Sequence, residues 1–107
     1  MTRLEKLYLT KVAKLGCYCC RVDGNGEVPA QIHHIREGMG MGQRAKHIGE
    51  TIPLCEAHHQ GLVNTNCVAF HRGPRIWRNK YGSEREVAKA IYNLIQSLDE
   101  TDPNWYY

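Results

Sequence analysis

The clearest chemistry in the chain lies in two matched pairs of residues. Cys17-Tyr18-Cys19-Cys20 sets Cys17 and Cys20 three apart, with two residues between them, and Cys55-Glu56-Ala57-His58 repeats that gap. Each pair fits a knuckle, a tight turn that aims two ligands at one ion. Two knuckles complete the closed tetrahedral Cys3His shell of a structural zinc site. Cys19 is an alternative to Cys20, although the C-x-x-C geometry is the commoner. The chain has five cysteines, an odd number, and its start, Met1-Thr2-Arg3-Leu4-Glu5-Lys6, interleaves charge with leucine and reads as no signal peptide. Thiolate ligation in a reducing compartment is therefore expected rather than a disulfide scaffold. A cysteine without metal is a small core hydrophobe; the repeated spacing decides for zinc.

His33-His34 and His59 offer a different chemistry. A neutral imidazole, with a reference pKa of about 6.5, can take a proton from water near neutrality. A cation held by histidines can polarise a phosphodiester and stabilise its leaving oxygen. Neighbouring side chains on a strand point to opposite faces, so His33 can face a metal while His34 faces water only at a bend or strand end. Alone, a His-His pair is as well read as a zinc pair or polar surface. Cys67 and His71 stand four apart, one face of a helix, and could hold a second zinc with His47 or another histidine; a buried cysteine beside a surface histidine is the alternative. From His71 to Lys80 the chain carries Arg72, Arg75, Arg78 and Lys80 and no acid. Such a stretch can neutralise phosphates and gain affinity by releasing counterions, or can be an ordinary solvated face.

These residues need elements to position them. Thr2 and Glu5 have the spacing of a capping box, and Leu4, Leu7, Val12 and Leu15 follow on one face before Gly16, which predicts an N-terminal helix over about 2–15. Ser83 and Glu86 repeat the box ahead of Val87, Ile91, Leu94, Ile95 and Leu98, which predicts a C-terminal helix over about 83–99. Residues 28–35 read as a strand with Pro29 near its start. Gly38, Gly40 and Gly42 alternate through a loop that also holds Arg36, Arg44 and Lys46; no Gly-Lys-Ser/Thr follows, so it is no P-loop. Thr51-Ile52 suits a return strand, and Pro53-Leu54-Cys55 leads into a short helix through His58 and His59. Another short helix is expected from about Asn66 to His71. The three aromatics of Trp105-Tyr106-Tyr107 suggest a tail docked on the domain.

Length and composition set the outer limits. A chain of 107 residues suits one domain, here a core over about 16–72 between the flanking helices. Its 42% apolar and 23% charged residues are those of a soluble globular protein, and the chain lacks the apolar run that a membrane span needs. A net charge of +3 identifies no partner.

The motif set as a whole, Leu15-Gly16-Cys17 to Cys20-Arg21, then His33-His34-Ile35, Thr51-Ile52-Pro53-Leu54-Cys55 to His58-His59-Gln60-Gly61, Phe70-His71 and Lys80-Tyr81-Gly82-Ser83-Glu84, resembles the phage-type Ref family, recombination-enhancing RecA-dependent nucleases of the HNH class. The likeness runs from about Val12 to Ile95. It implies an α+β fold with a small zinc-stabilised ββα-metal, treble-clef-like core. It further implies a DNA endonuclease that leaves 5′-phosphate and 3′-hydroxyl ends. His33 would bind a divalent cation, His34 would be the general base and His59 a second cation ligand, with His71 or water as the third. Thr51 falls where the family name has asparagine, which puts the orientation of the base by an amide in doubt. The cation would be magnesium or manganese, with zinc a further option. Partners would be single-stranded DNA or a recombination intermediate and a RecA filament, in the bacterial host cytoplasm if the gene is phage- or prophage-borne. Arg36, Arg44, Arg72, Arg75, Arg78 and Lys80 are the candidate DNA contacts. Two other readings stand beside this one, a non-catalytic zinc module binding nucleic acid and a protein-interaction zinc domain.

Overall fold

A computed structural model describes residues 1–36, 46–61 and 67–107. In chain order the elements are α1 (Arg3–Leu15), α2 (Tyr18–Val22), β1 (Gln31–His34), β2 (Thr51–Leu54), α3 (Glu56–His59), α4 (Pro74–Tyr81) and α5 (Glu84–Thr101). The class is α+β. β1 and β2 form a two-stranded antiparallel sheet in the register Gln31↔Leu54, Ile32↔Pro53, His33↔Ile52, His34↔Thr51. All of β2 is buried, and it is touched by α1, α2, α3 and α5. A pair of strands is marginal alone in water, so this hairpin exists because helices cover it.

The first expected capping box forms in full, and the second forms only its hydroxyl half. Thr2 Oγ1 accepts the Glu5 N–H at 3.1 Å, and Glu5 Oε1 accepts the Thr2 N–H at 2.7 Å. Ser83 Oγ accepts the Glu86 N–H at 3.1 Å. The buried stripe of α1 differs from the expected one. Tyr8, Val12 and Leu15 point inward, whereas Leu4 and Leu7 are 70% and 37% exposed. Tyr8, Val12 and Leu15 are spaced four and three apart on one helix face; Leu4, four residues before Tyr8, shares that face but sits in the first turn of α1 and stays exposed. They pack with Ile91 and Ile95 of α5 into one core cluster. A second cluster surrounds the knuckles, joining Cys17, Cys19, Cys20, Ile35, Ile52, Leu54, Phe70 and Trp77.

Three other expectations change. The strand is confined to Gln31–His34. No helix forms over the described part of 66–71, because its amides bond elsewhere: Phe70 N–H donates to His58 O at 2.8 Å and His71 N–H to His59 O at 3.0 Å. The basic stretch, by contrast, is helical. Pro74 starts α4 at its first turn, where a missing N–H costs nothing, and Gly82, at φ +105°, ends it. The glycine loop at 38–42 and Arg44 lie outside the described residues. The tail docks through Asp99, which takes Trp105 Nε1–H at 2.9 Å and Lys11 Nζ at 2.7 Å. Among the described residues no helix is long and apolar enough to cross a membrane.

Ile95 is 1% exposed in the α1–α5 cluster. Ile95→Ala should therefore cost about 2–5 kcal/mol, read as a lowered midpoint in chemical denaturation.

Candidate metal centres and active site

Among the described residues, two groups of side chains converge closely enough to hold metal ions: Cys17, Cys20, Cys55 and His58, and His33, His59 and His71. In the first, Cys17 caps α2 and takes the Cys20 N–H on its Sγ at 3.4 Å, which is the turn a knuckle requires. The backbone before it is pinned by Gly16, at φ +77°, where a Cβ would stand 3.0 Å from Val28 O. His58 arrives on α3, with Nδ1 3.6, 3.5 and 3.2 Å from the sulfurs of Cys17, Cys20 and Cys55; Cys20 Sγ and Cys55 Sγ are 3.7 Å apart. Zn–S bonds of about 2.3 Å and Zn–N bonds of about 2.0 Å put tetrahedral ligands roughly 3.3–3.8 Å apart. The donor set therefore fits a closed site. Cys19 is not in it; its side chain lies in the core beside Cys17 and Trp77.

The thiol chemistry agrees. A hydrogen bond from Cys19, then the amides of Cys20 and Cys55, hold Cys17 down to about 4, while burial pushes Cys20 up to about 12 and raises Cys55. Burial therefore works against ionising the whole set of thiols, and a bound cation would offset that. Beyond the cluster, His58 Nε2 faces Asp23 Oδ2 at 3.6 Å, and Tyr81 O–H donates to that oxygen at 2.7 Å. Asp23 orients the ligand from behind and ties α4 to the knuckle.

The second group is built from β1, α3 and the turn before α4. His33 Nε2 meets Glu84 Oε2 at 3.0 Å, and His59 Nδ1 meets Gln31 Oε1 at 2.9 Å. A carboxylate and an amide oxygen only accept, so both imidazoles donate outward. That leaves His33 Nδ1 and His59 Nε2 as bare lone pairs facing each other at 3.2 Å, with His71 Nε2 a further 3.0 Å from His59 Nε2. Opposed lone pairs repel, and a cation among them removes the conflict. A proton is a poor substitute, because burial, then His33 and His71, push His59 down to about 4. The residues fit a metal held by nitrogen.

Glu84 completes that arrangement. It is 2% exposed at the start of α5 and is held by Arg78 Nη2 at 3.0 Å as well as by His33. Burial pushes its carboxyl up, but the bonds from His33 and Arg78 outweigh this and leave it below the ordinary value. Glu84 was not among the candidate site residues, although it ends the Lys80-to-Glu84 motif of the family resemblance and sits in the first turn of a capped helix. Gln31 was missed because it is a polar residue on a strand with no motif of its own.

His34 ends β1 and points to the other face of the sheet, half-buried, with Nε2 3.0 Å from His47 Nδ1. Burial, then His47, His33 and Arg36, lower its pKa. Thr51 lies opposite His34 in the register, fully buried, and its hydroxyl donates to His47 O at 3.0 Å. A cleft of about 580 Å³ joins the two histidine groups, lined among others by His33, His34, Arg36, His59, His71 and Arg78.

Among the described residues, no group able to hold a metal includes Cys67. Cys67 is exposed beside a smaller cleft with Arg72 and Ile76, and His71 turns to His59. Of the basic candidates, Arg36 and Arg78 reach the cleft. Arg78 pairs with Glu84, and Lys80 approaches Asp23 at 3.6 Å. Arg72 and Arg75 are exposed.

The sequence model of the family described as "Recombination enhancement, RecA-dependent nuclease" matches residues 1–96. The chain belongs to this family. No curated protein and no solved structure matches it. The family description carries nuclease activity, and hence an enzyme acting on nucleic acid.

Two outcomes follow from the metal centres. Cys55→Ser should release the cation held by the knuckles and unfold the domain, read together by metal analysis and thermal melting; a normal melt with full metal content overturns the assignment. Glu84→Gln should leave the knuckle metal in place but weaken binding at the three-histidine group about 10–100-fold, measured by titration with zinc.

Proposed function

We propose that the protein is a metal-dependent DNA endonuclease of the HNH, ββα-metal type. β1, β2 and α3 would be its ββα unit, with the knuckles a treble-clef-like clasp beneath it. The observation that carries this reading is that His34 lines the same open cleft as His33, His59 and His71, three residues whose ring nitrogens lie close enough together to hold a metal ion. A cation bound to those three nitrogens would supply Lewis acidity for the scissile phosphate and its leaving oxygen. Imidazole-only ligation favours zinc over magnesium or manganese, a narrower choice than the residues suggested at first.

The chain's own residues would do the rest. His34, kept neutral by its surroundings, takes a proton from the attacking water. Arg36 offers charge to the phosphate from the cleft wall. Arg78 lends its positive charge from behind Glu84, where the ion pair keeps the guanidinium still. Arg72 and Arg75 extend the basic surface along the duplex or strand, adding affinity that falls with salt. The family description supports a RecA-coated strand as the setting of the reaction; the compartment proposed for it is a reducing bacterial cytoplasm, in which the knuckle cysteines stay available as thiolates.

A zinc module without catalysis would need the knuckles alone. It gives no reason for a buried Glu84 that fixes His33, or for opposed lone pairs in a second cluster, since buried charge is costly unless it serves something. The deciding assay is plasmid nicking with and without a RecA-coated strand. His34→Ala should keep its zinc and its fold but lose roughly 10²–10⁴-fold in cleavage. Full activity in that variant rejects the base, and DNA protection without strand breaks in the wild type rejects the enzyme.

A further inference from the structure

His47 was weighed from the sequence only as a spare metal ligand, yet its contacts point to a different role. Its Nδ1 meets His34 Nε2 at 3.0 Å, the two rings nearly perpendicular at 80°, and its Nε2 approaches Glu5 Oε2 at 3.9 Å. Its backbone is held as well: His47 O accepts the Thr51 hydroxyl at 3.0 Å and the Glu50 N–H at 3.4 Å. Glu5 is itself fixed, because its other carboxylate oxygen closes the α1 capping box. Three elements thus converge behind the ring of His34: the first turn of α1, the segment before β2, and β2 itself.

The direction of this chain follows from what each group can do. A carboxylate only accepts, so its field favours a proton on His47 Nε2. A neutral His47 protonated there has a bare Nδ1, which accepts. The proton between the two histidines then belongs to His34 Nε2. A neutral His34 protonated at Nε2 has its free lone pair on Nδ1. We propose that His47, backed by Glu5, is a positioning residue that fixes the ring and tautomer of His34 and so selects Nδ1 as the nitrogen that accepts the proton from water. This rests on the reading of His34 as general base.

The step balances without another reactant. A water O–H bond breaks as its proton moves to His34 Nδ1, the water oxygen bonds to phosphorus, and the P–O3′ bond breaks. The imidazolium then releases its proton to solvent, and the leaving 3′-oxygen takes one up. His47 keeps its proton on Nε2 throughout and touches neither water nor phosphate. The wrong tautomer at His34 would present N–H to the water and stop the reaction without disturbing the fold. Thr51 acts one bond further back, by holding the carbonyl of His47.

The test reads the tautomer directly. The zinc-loaded protein, labelled with 15N-histidine, is examined by long-range 1H–15N correlation, and His34 is assigned by its loss in His34→Ala. The expected spectrum has His34 protonated at Nε2 and bare at Nδ1; protonation at Nδ1 overturns the proposal. Cleavage of RecA-coated DNA gives the second readout. His47→Ala should lower kcat roughly tenfold or more with KM and zinc content unchanged. In His47→Asn, Oδ1 takes the place of Nδ1 as acceptor and should restore most of kcat. An unchanged kcat in His47→Ala, or an equal loss in both variants, overturns the role. Full cleavage by His34→Ala would instead remove the base, and the spectrum would still report the tautomer by itself.

Discussion

His58 and His59 are consecutive residues on a helix of four, and they serve different clusters. One helical step turns a side chain by about 100°, so as His58 enters the thiol group, His59 is aimed at His33 and His71. A single turn of helix has no stability of its own in water. α3 must be held from outside, by His58 against Cys17, Cys20 and Cys55 and by the cross-bonds from Phe70 and His71 to the carbonyls of His58 and His59. The knuckles are thus more than a substitute for a larger core. They fix the angle at which the second cluster receives its middle ligand, and those same cross-bonds bring His71 within reach of it.

The charge distribution follows from that geometry. A carboxylate behind His33 must sit deep, and a deep carboxylate needs a partner. Arg78 is that partner, and Lys80 stands two residues on against Asp23 behind His58. The basic run from Arg72 to Lys80 therefore divides between two tasks. Arg78 and Lys80 turn toward acids that orient metal ligands, while Arg72 and Arg75 stay open to solvent. Counting positive charges along the chain could not separate these, since the separation depends on which acids fold against α4.

How much was legible in the sequence varies with the range of the signal. Local rules found the caps at Thr2 and Ser83, the two long helices and both knuckles, because each depends on residues three or four apart. The knuckle spacing also carried the choice of Cys20 over Cys19. Contacts across the chain were harder. Cys67 and His71 looked like one helical face, but the backbone amides of 70 and 71 were taken by α3, and with them went the helix. Leu4 and Leu7 obeyed the helical period and remained outside, since a period marks a face without saying where the neighbour ends. Gln31 and His47 carry no motif and Glu84 only ends one; each gains its meaning from a partner 28, 13 or 51 residues away. The family likeness was legible too, and the match over residues 1–96 agrees with it.

The two long helices contribute in a way their amphipathic pattern does not reveal. Each begins with a hydroxyl cap and carries an acid in its first turn: Glu5 after Thr2, Glu84 after Ser83. Each acid reaches an imidazole behind the cleft, Glu5 toward His47 and Glu84 onto His33. The N-terminal end of a helix favours negative charge, so these carboxylates are stabilised by the elements that bear them. A carboxylate secure in its ionised form is a pure acceptor, and a pure acceptor dictates where its histidine keeps the proton. The start of α5 thereby sets the tautomer of His33, whose lone pair faces the three-histidine group; in the role proposed for His47, the start of α1 would do the same for a ring that faces His34. Replacing either helix by one that buries the same apolar stripe but starts one residue later would keep the core and misdirect the nitrogen.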